Sequence, residues 1–96
     1  METLEEIRAK IDEVDERMAE LLAERIALAK KAAEYKRANG LPLEDPQREQ
    51  QILEHGATVF EKGMEKELGP DAAEAAREDY LRFQKTVIRI SKQHQQ

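Results

Sequence analysis

Hydrophobic residues recur at alternating intervals of three and four along the first part of the chain. This spacing is typical of one apolar stripe on an α-helix, and it continues here without interruption for nearly five heptads. The stripe consists of Leu4, Ile7, Ile11, Val14, Met18, Leu21, Arg25, Leu28, Ala32 and Tyr35. Asn39 and Gly40 follow as a C-terminal stop signal, so the pattern predicts a first helix over residues 4–39.

The length of this first helix indicates an oligomer. At a rise of about 1.5 Å per residue the helix would be ~54 Å long. A compact chain of 96 residues is only about 25–30 Å across. The helix must therefore extend beyond the rest of its own chain, and a second copy is the simplest cover for its apolar stripe.

A second helix is predicted over residues 46–68. Asp45 suits the N-cap position, and Pro46 suits the first helical position. Gly56 and Gly63 lie close to the apolar stripe and indicate either a close helix contact or a break in the helix. The stripe itself consists of Ile52, Leu53, Val59, Phe60, Met64 and Leu68.

A third helix is predicted over residues 72–94, after the break at Gly69 and Pro70. Asp71 and Glu74 have the spacing of a capping box, with Asp in the Ser/Thr role. The predicted inner face consists of Ala76, Tyr80, Phe83, Val87, Ile90 or Ser91, and His94 or Gln95.

The composition supports one all-α domain over residues 1–96. Charged residues make up 39% and aromatic residues 4%, which disfavours a β-sandwich or barrel. The absence of Cys excludes a disulfide scaffold, a thiolate zinc site and a cysteine nucleophile. The net charge of −5 argues against nucleic acid or an anionic membrane as partner. No apolar run has membrane-spanning length and no signal-peptide pattern is present, so we expect a cytoplasmic protein.

Arg25 is the most informative candidate residue, because it occupies a stripe position where an apolar side chain is expected. A buried guanidinium needs an anionic partner, which is either a carboxylate of another chain or a bound ligand. Lys36 lies eleven residues later, on the same face and ~16 Å along the axis. The two long side chains could converge on one small dianion, although a solvated lysine is the commoner outcome.

Two further groups carry weaker signals. Arg8 lies ~25 Å from Arg25 along the helix, so it is a surface arginine unless a crossed or antiparallel dimer brings it to the partner's site. Arg48 and Glu49 follow Asp45 at the second helix start, where free N–H groups favour anions and hydroxyl oxygens. The alternative there is a plain capping sequence.

The third helix carries the remaining candidates, Ser91 and Gln95, which lie on one face four residues apart. Ser91 has no activating base, so a serine nucleophile is not expected. His55 and His94 are isolated from other ligand types, and no metal site is predicted.

The combined pattern resembles the all-helical chorismate mutase family. It runs from Ile7-Arg8 and Ile11-Asp12 through Leu21-Leu22 and Arg25 to Lys36, and then to Asp45-Pro46-Gln47-Arg48-Glu49. The match covers about the first 55 residues closely and the rest loosely. The motif is specific as a combination, whereas each part alone is weak.

The resemblance implies an intertwined homodimer of three-helix chains that forms a helical bundle with two equivalent sites. It implies the rearrangement of chorismate to prephenate on the route to Phe and Tyr, with no cofactor. By position, Arg25 and Arg48 would bind the substrate carboxylates, and Arg8 would arrive from the other chain.

The resemblance assigns roles to five more residues. Lys36 and Gln95 would flank the ether oxygen of the substrate. Glu49 would accept the ring hydroxyl, assisted by the backbone at Asp45, and Ser91 would be a lesser contact. Loss of Lys36 is therefore expected to reduce catalysis strongly.

One spacing departs from the family pattern. Arg48 and Ser91 are 43 residues apart, about ten more than is usual, so the second helix or its connection must be longer. The alternatives to a chorismate mutase are an isochorismate pyruvate lyase on the same scaffold and a non-catalytic helical dimerisation module, in which Arg25 would pair with a glutamate. Association with another shikimate-pathway enzyme is a further possible partnership.

Overall fold

The computed structural model describes residues 1–95 of the chain. It consists of three α-helices, α1 (Leu4–Ala38), α2 (Pro46–Leu68) and α3 (Pro70–Gln93), and residues 1–95 contain no strand. The predicted all-α class with three helices is therefore confirmed. Within these residues, no helix combines the length and the apolar character that a membrane span needs.

Both ends of α1 are capped, and the sequence predicted the C-terminal stop at Asn39 and Gly40. Thr3 Oγ1 accepts a hydrogen bond from the Glu6 amide at 3.1 Å. At the other end Gly40 has a φ of +65°, which a residue with a side chain adopts at a cost. The Leu41 amide donates to the Lys36 carbonyl at 2.8 Å, and this completes a Schellman-type stop.

A single residue, Gly69, joins α2 to α3. Its φ of +93° turns the chain sharply, and the first residue of α3 is Pro70. The predicted capping box of Asp71 and Glu74 is therefore wrong, because α3 begins earlier and has no side-chain cap. Pro suits this first position, since it lacks the N–H that would be unpaired there. The extra length before Ser91 lies within the helices and not in a connection.

Helices α2 and α3 pack against each other as an antiparallel hairpin. The ring of Phe60 stacks on that of Tyr80 with centroids 5.1 Å apart, and Glu61 pairs with Arg77. Ala57 is fully buried between the helices. A fully buried alanine beside the aromatic pair lets the two helices approach closely.

The two glycines of α2 have different roles. A Cβ at Gly56 would lie 1.9 Å from Tyr80 Oη, so this position requires the absence of a side chain. A Cβ at Gly63 would meet no atom within 4 Å, and α2 continues through it. Gly56 is therefore the close helix contact, and neither glycine breaks the helix.

Helix α1 lies parallel to α3 and extends well beyond it. Its second half packs on α3, where Ala33 is 1% exposed, whereas residues 1–21 are all exposed. The molecule measures 57 × 27 × 15 Å with a radius of gyration of 16.6 Å, above the ~12–13 Å of a compact chain of this length. The predicted extension of the first helix beyond the chain is confirmed.

Candidate active site

Arg25 reaches from α1 to α3 and is held there by a serine. Its Nη1 donates to Ser91 Oγ at 2.5 Å, and that hydroxyl donates to the Val87 carbonyl at 2.9 Å. Ser91 is 3% exposed, so the inner face of α3 passes through Ser91 and not Ile90. Among residues 1–95, Arg25 forms no ion pair with a carboxylate. Its charge therefore remains available to an anion.

Lys36 lies on the last turn of α1 and points towards the loop before α2. Its Nζ donates to the Leu43 carbonyl at 3.2 Å, and its side chain is half-buried. Helix α1 is unbroken between Arg25 and Lys36, so the two cations lie three turns and about 16 Å apart along the axis. The prediction that one unbroken helix carries both Arg25 and Lys36 is therefore confirmed.

The start of α2 carries three of the predicted residues. Asp45 is the N-cap, and its Oδ1 accepts from the Arg48 amide at 3.0 Å. Glu49 is half-buried, whereas Asp45 and Arg48 are exposed. The arrangement fixes the backbone direction of this turn and places the Glu49 carboxylate towards α3.

Gln95 follows the end of α3 and is tied to α1. Its amide donates to the Lys92 carbonyl at 3.2 Å, and its own carbonyl accepts from the Arg37 guanidinium. Its side chain is half-buried. The chain after α3 is thus held beside the last turn of α1, where Lys36 lies.

Two of the predicted site residues, Arg8 and Arg48, do not join the other predicted site residues within the single chain. Arg8 is exposed on the unpaired part of α1, about 25 Å from Arg25 along the axis. Arg48 is exposed, and the hydrogen bond that it forms with Asp45 uses the main-chain N–H. One chain therefore does not surround a ligand with all the predicted cations.

Two open cavities lie on different sides of α3. One has a volume of about 590 Å³ and is lined by Glu49, Leu53 and Ile88 together with Lys92. The other has a volume of about 750 Å³ and lies between α1 and the hairpin; its lining includes Arg25, Met18, Leu22, Phe60, Tyr80 and Phe83. Arg25 and Glu49 therefore do not share one cavity within the single chain.

Lys92 is a residue at this site that the sequence did not indicate. Its Nζ lies 2.5 Å from Glu49 Oε1, and the hydrogen bond with Glu49 is the main cause that raises the pKa of Lys92. Burial opposes this rise, and Glu44 adds to it. The sequence held one indication of this residue, a lysine directly after Ser91. Its pairing with Glu49 could not be predicted, because it depends on the register of the hairpin.

The geometry defines an all-helical protein in which the end of α1, the start of α2 and the end of α3 lie together. Arg37 bonds the Gln95 carbonyl there, and Lys92 pairs with Glu49. The family model described as chorismate mutase type II matches residues 7–96, and the chain belongs to this family. Among residues 1–95, no group of three His, Cys, Asp or Glu side chains is placed to hold a metal ion.

Two curated relatives match the chain in part. A chorismate mutase of Methanocaldococcus jannaschii is 50% identical over 54 residues, which are 56% of this chain and 54% of that protein. A bifunctional chorismate mutase/prephenate dehydratase of Aquifex aeolicus is 46% identical over 54 residues, which are 56% of this chain and 15% of that protein. The matched part is about half of the first relative and a smaller share of the second. No solved structure matches the chain significantly.

Proposed function

We propose that the chain catalyses the rearrangement of chorismate to prephenate, a step towards Phe and Tyr. The observation that carries this proposal is the state of Arg25, which is half-buried, held by a neutral hydroxyl and without a carboxylate partner in residues 1–95. Desolvation of a guanidinium costs free energy, and binding of a doubly negative substrate offsets that cost. Membership of the chorismate mutase type II family supports the same reaction.

The chemistry requires positioning and charge stabilisation. The rearrangement is intramolecular: the ether C–O bond breaks while a new C–C bond forms, and no external nucleophile, acid or base takes part. The protein has to hold the flexible dianion in its compact reactive conformation. It also has to stabilise the negative charge that develops on the ether oxygen.

The cations divide between these two tasks. Arg25 and Arg48 bind the carboxylates, because a planar guanidinium can bind a carboxylate through two parallel hydrogen bonds. Lys36 and Gln95 donate to the ether oxygen. The hydrogen bond from Arg37 to the Gln95 carbonyl supports this pairing, because it holds Gln95 beside the last turn of α1.

The polar residues orient the rest of the substrate. Glu49 accepts a hydrogen bond from the ring hydroxyl, with the backbone at Asp45 assisting. Ser91 fixes the Arg25 guanidinium through its own hydroxyl. These groups act by position, since none of them exchanges a proton with the substrate in the reaction.

A second copy of the chain completes the proposed site. The stripe of α1 is left exposed at Leu4, Ile7, Ile11, Val14, Met18, Leu21 and Leu28, each at least 41% accessible. Burial of such large side chains in an intertwined helical bundle would contribute about 1.5–3 kcal/mol each. In this dimer the partner's α1 brings its Arg8 to the site, which gives the exposed arginine a function.

A turnover assay on the purified chain tests the function. We expect the wild type to consume chorismate and form prephenate, and Lys36→Ala to lower kcat at least about a hundredfold, the scale of losing one preorganised donor. Lys30→Ala is the matched control, because Lys30 is an exposed lysine of the same helix. A wild type without turnover, or near-normal turnover in a folded Lys36→Ala variant, contradicts the proposal.

A further inference from the structure

An ion pair between Lys92 and Glu49 ties the end of α3 to the start of α2. The distance from Nζ to Oε1 is 2.5 Å, and the two side chains are 35% and 32% exposed. Glu44 Oε2 lies 3.5 Å from the same Nζ, but its side chain is 72% exposed. Since solvent weakens an exposed pair, Glu49 is the main partner of Lys92.

The surroundings of this pair strengthen it. Both residues line the 590 Å³ cavity, and Leu53 and Ile88 contribute apolar side chains to the same walls. An ion pair beside apolar walls is stronger than one in open water, because the local dielectric constant is lower. The hydrogen bond that Lys92 donates to Glu49 raises the pKa of Lys92, so the lysine stays charged at neutral pH.

We propose that Lys92 is a positioning residue, which holds the Glu49 carboxylate for the substrate hydroxyl and offsets its negative charge. This role rests on the proposed function, in which Glu49 accepts that hydroxyl. The bond from Lys92 occupies Oε1 and leaves Oε2 to accept from the hydroxyl. Without the lysine, an uncompensated carboxylate would repel a doubly negative substrate.

The repulsion predicts a particular kinetic change. It acts on the bound substrate and on the transition state alike, so its main effect falls on KM. For Lys92→Met we expect KM to rise about tenfold, with kcat within about threefold of the wild type. Lys92→Arg keeps the charge and the donor, and should restore KM to within about threefold.

Two further variants separate this role from general effects. Lys85→Met removes a lysine that lines the same cavity but forms no ion pair within residues 1–95, and its KM should equal that of the wild type. Glu49→Gln provides the second arm of a double-mutant cycle. If Lys92 acts through Glu49, adding Lys92→Met to Glu49→Gln should change KM less than about twofold.

The outcomes distinguish this role from the function on which it rests. A wild type without chorismate turnover overturns the function, and with it the role of Lys92. An active wild type with an unchanged KM in Lys92→Met overturns the role alone. So does a full KM increase from Lys92→Met in the Glu49→Gln background, since Lys92 would then contact the substrate directly. Thermal unfolding of each variant is measured in parallel, and Lys92→Gln replaces Lys92→Met if the latter does not fold.

Discussion

The α2–α3 hairpin and the first half of α1 share the same kind of amphipathic pattern but differ in what covers it. In the hairpin, Ala57, Ala73 and Val87 are buried by the chain itself, and Phe60 stacks on Tyr80. In α1, residues 1–21 are all exposed, apolar stripe included. The difference shows that a helical hydrophobic period predicts a face that requires burial, and not which surface buries it.

The largest expected effect is a charge placed in the exposed stripe of α1. Ile11 is 52% accessible in the single chain, so Ile11→Glu would be nearly harmless in a monomer. In the proposed dimer the same change buries an unpaired carboxylate at about 3 kcal/mol or more per protomer. We expect the variant to sediment as a monomer, to unfold at a lower temperature and to lose turnover.

Ala9→Glu is the matched control for this experiment. It adds the same side chain to the same part of α1, on the face opposite to the stripe. We expect it to retain the wild-type mass and unfolding temperature. Equal stability of Ile11→Glu and Ala9→Glu would mean that nothing covers the stripe.

The next effect concerns the close contact inside the hairpin. A Cβ at Gly56 would overlap Tyr80, whose ring stacks on Phe60 and cannot move without disturbing that pair. We expect Gly56→Ala to lower the free energy of unfolding by about 1–3 kcal/mol, measured by urea denaturation. Tyr80→Phe in the same chain should recover part of this loss, because it removes the nearest atom.

Gly63→Ala tests whether the stability loss of Gly56→Ala comes from the contact with Tyr80 or simply from replacing a helical glycine by alanine. The position is in the same helix with no atom within 4 Å of an added Cβ. Ala is the better helix former, so this change should raise the free energy of unfolding by up to about 1 kcal/mol. A loss of stability like that of Gly56→Ala would disprove the contact argument.

A smaller effect is expected where α1 meets α3. Ser91→Ala removes the hydroxyl that bonds Arg25 and should lower the free energy of unfolding by about 1–2 kcal/mol and kcat/KM about tenfold. Thr86→Ala is the control, because Thr86 bonds the carbonyl four residues before it in the same way but is exposed. Equal changes in kcat/KM for Ser91→Ala and Thr86→Ala would show that Ser91 has no specific role at the site.

The smallest effect is a pH dependence of the hairpin. Burial raises the pKa of Tyr80, and the nearby charge of Arg25 opposes this rise. In the unfolded chain the Tyr80 phenol ionises at about pH 10. The stability that the neutral phenol contributes to the folded state is therefore complete below that pH. It is lost as the pH rises through the higher pKa that Tyr80 has in the folded protein. We expect the wild type to lose more unfolding free energy than Tyr80→Phe above about pH 10. Parallel losses in denaturant titrations would contradict this.

Local signals in the sequence predicted the helix ends well. Asn39 and Gly40 predicted the end of α1, and Asp45 and Pro46 predicted the start of α2, because caps depend on a few adjacent residues. The exception is the start of α3. Both Gly69 and Asp71 are acceptable N-caps, and the one-residue connection between the helices selects Gly69.

Contacts between distant residues were not predictable in the same way. The pairing of Arg25 with Ser91 depends on which face of α3 meets α1, and the sequence left Ile90 and Ser91 as alternatives. The pairing of Glu49 with Lys92 depends on the antiparallel register of a hairpin that is longer than the family pattern. A difference of one residue would rotate each side chain by about 100° around its helix.

By itself the sequence determined the three helices, their apolar faces and the cations that α1 carries, because the helical period and capping act over a few neighbouring residues. Only the tertiary structure decided that Tyr80 packs against Gly56, that Ser91 holds Arg25 and that Lys92 meets Glu49. These contacts join residues far apart in the chain. Their geometry follows from how the helices pack, which no local pattern encodes.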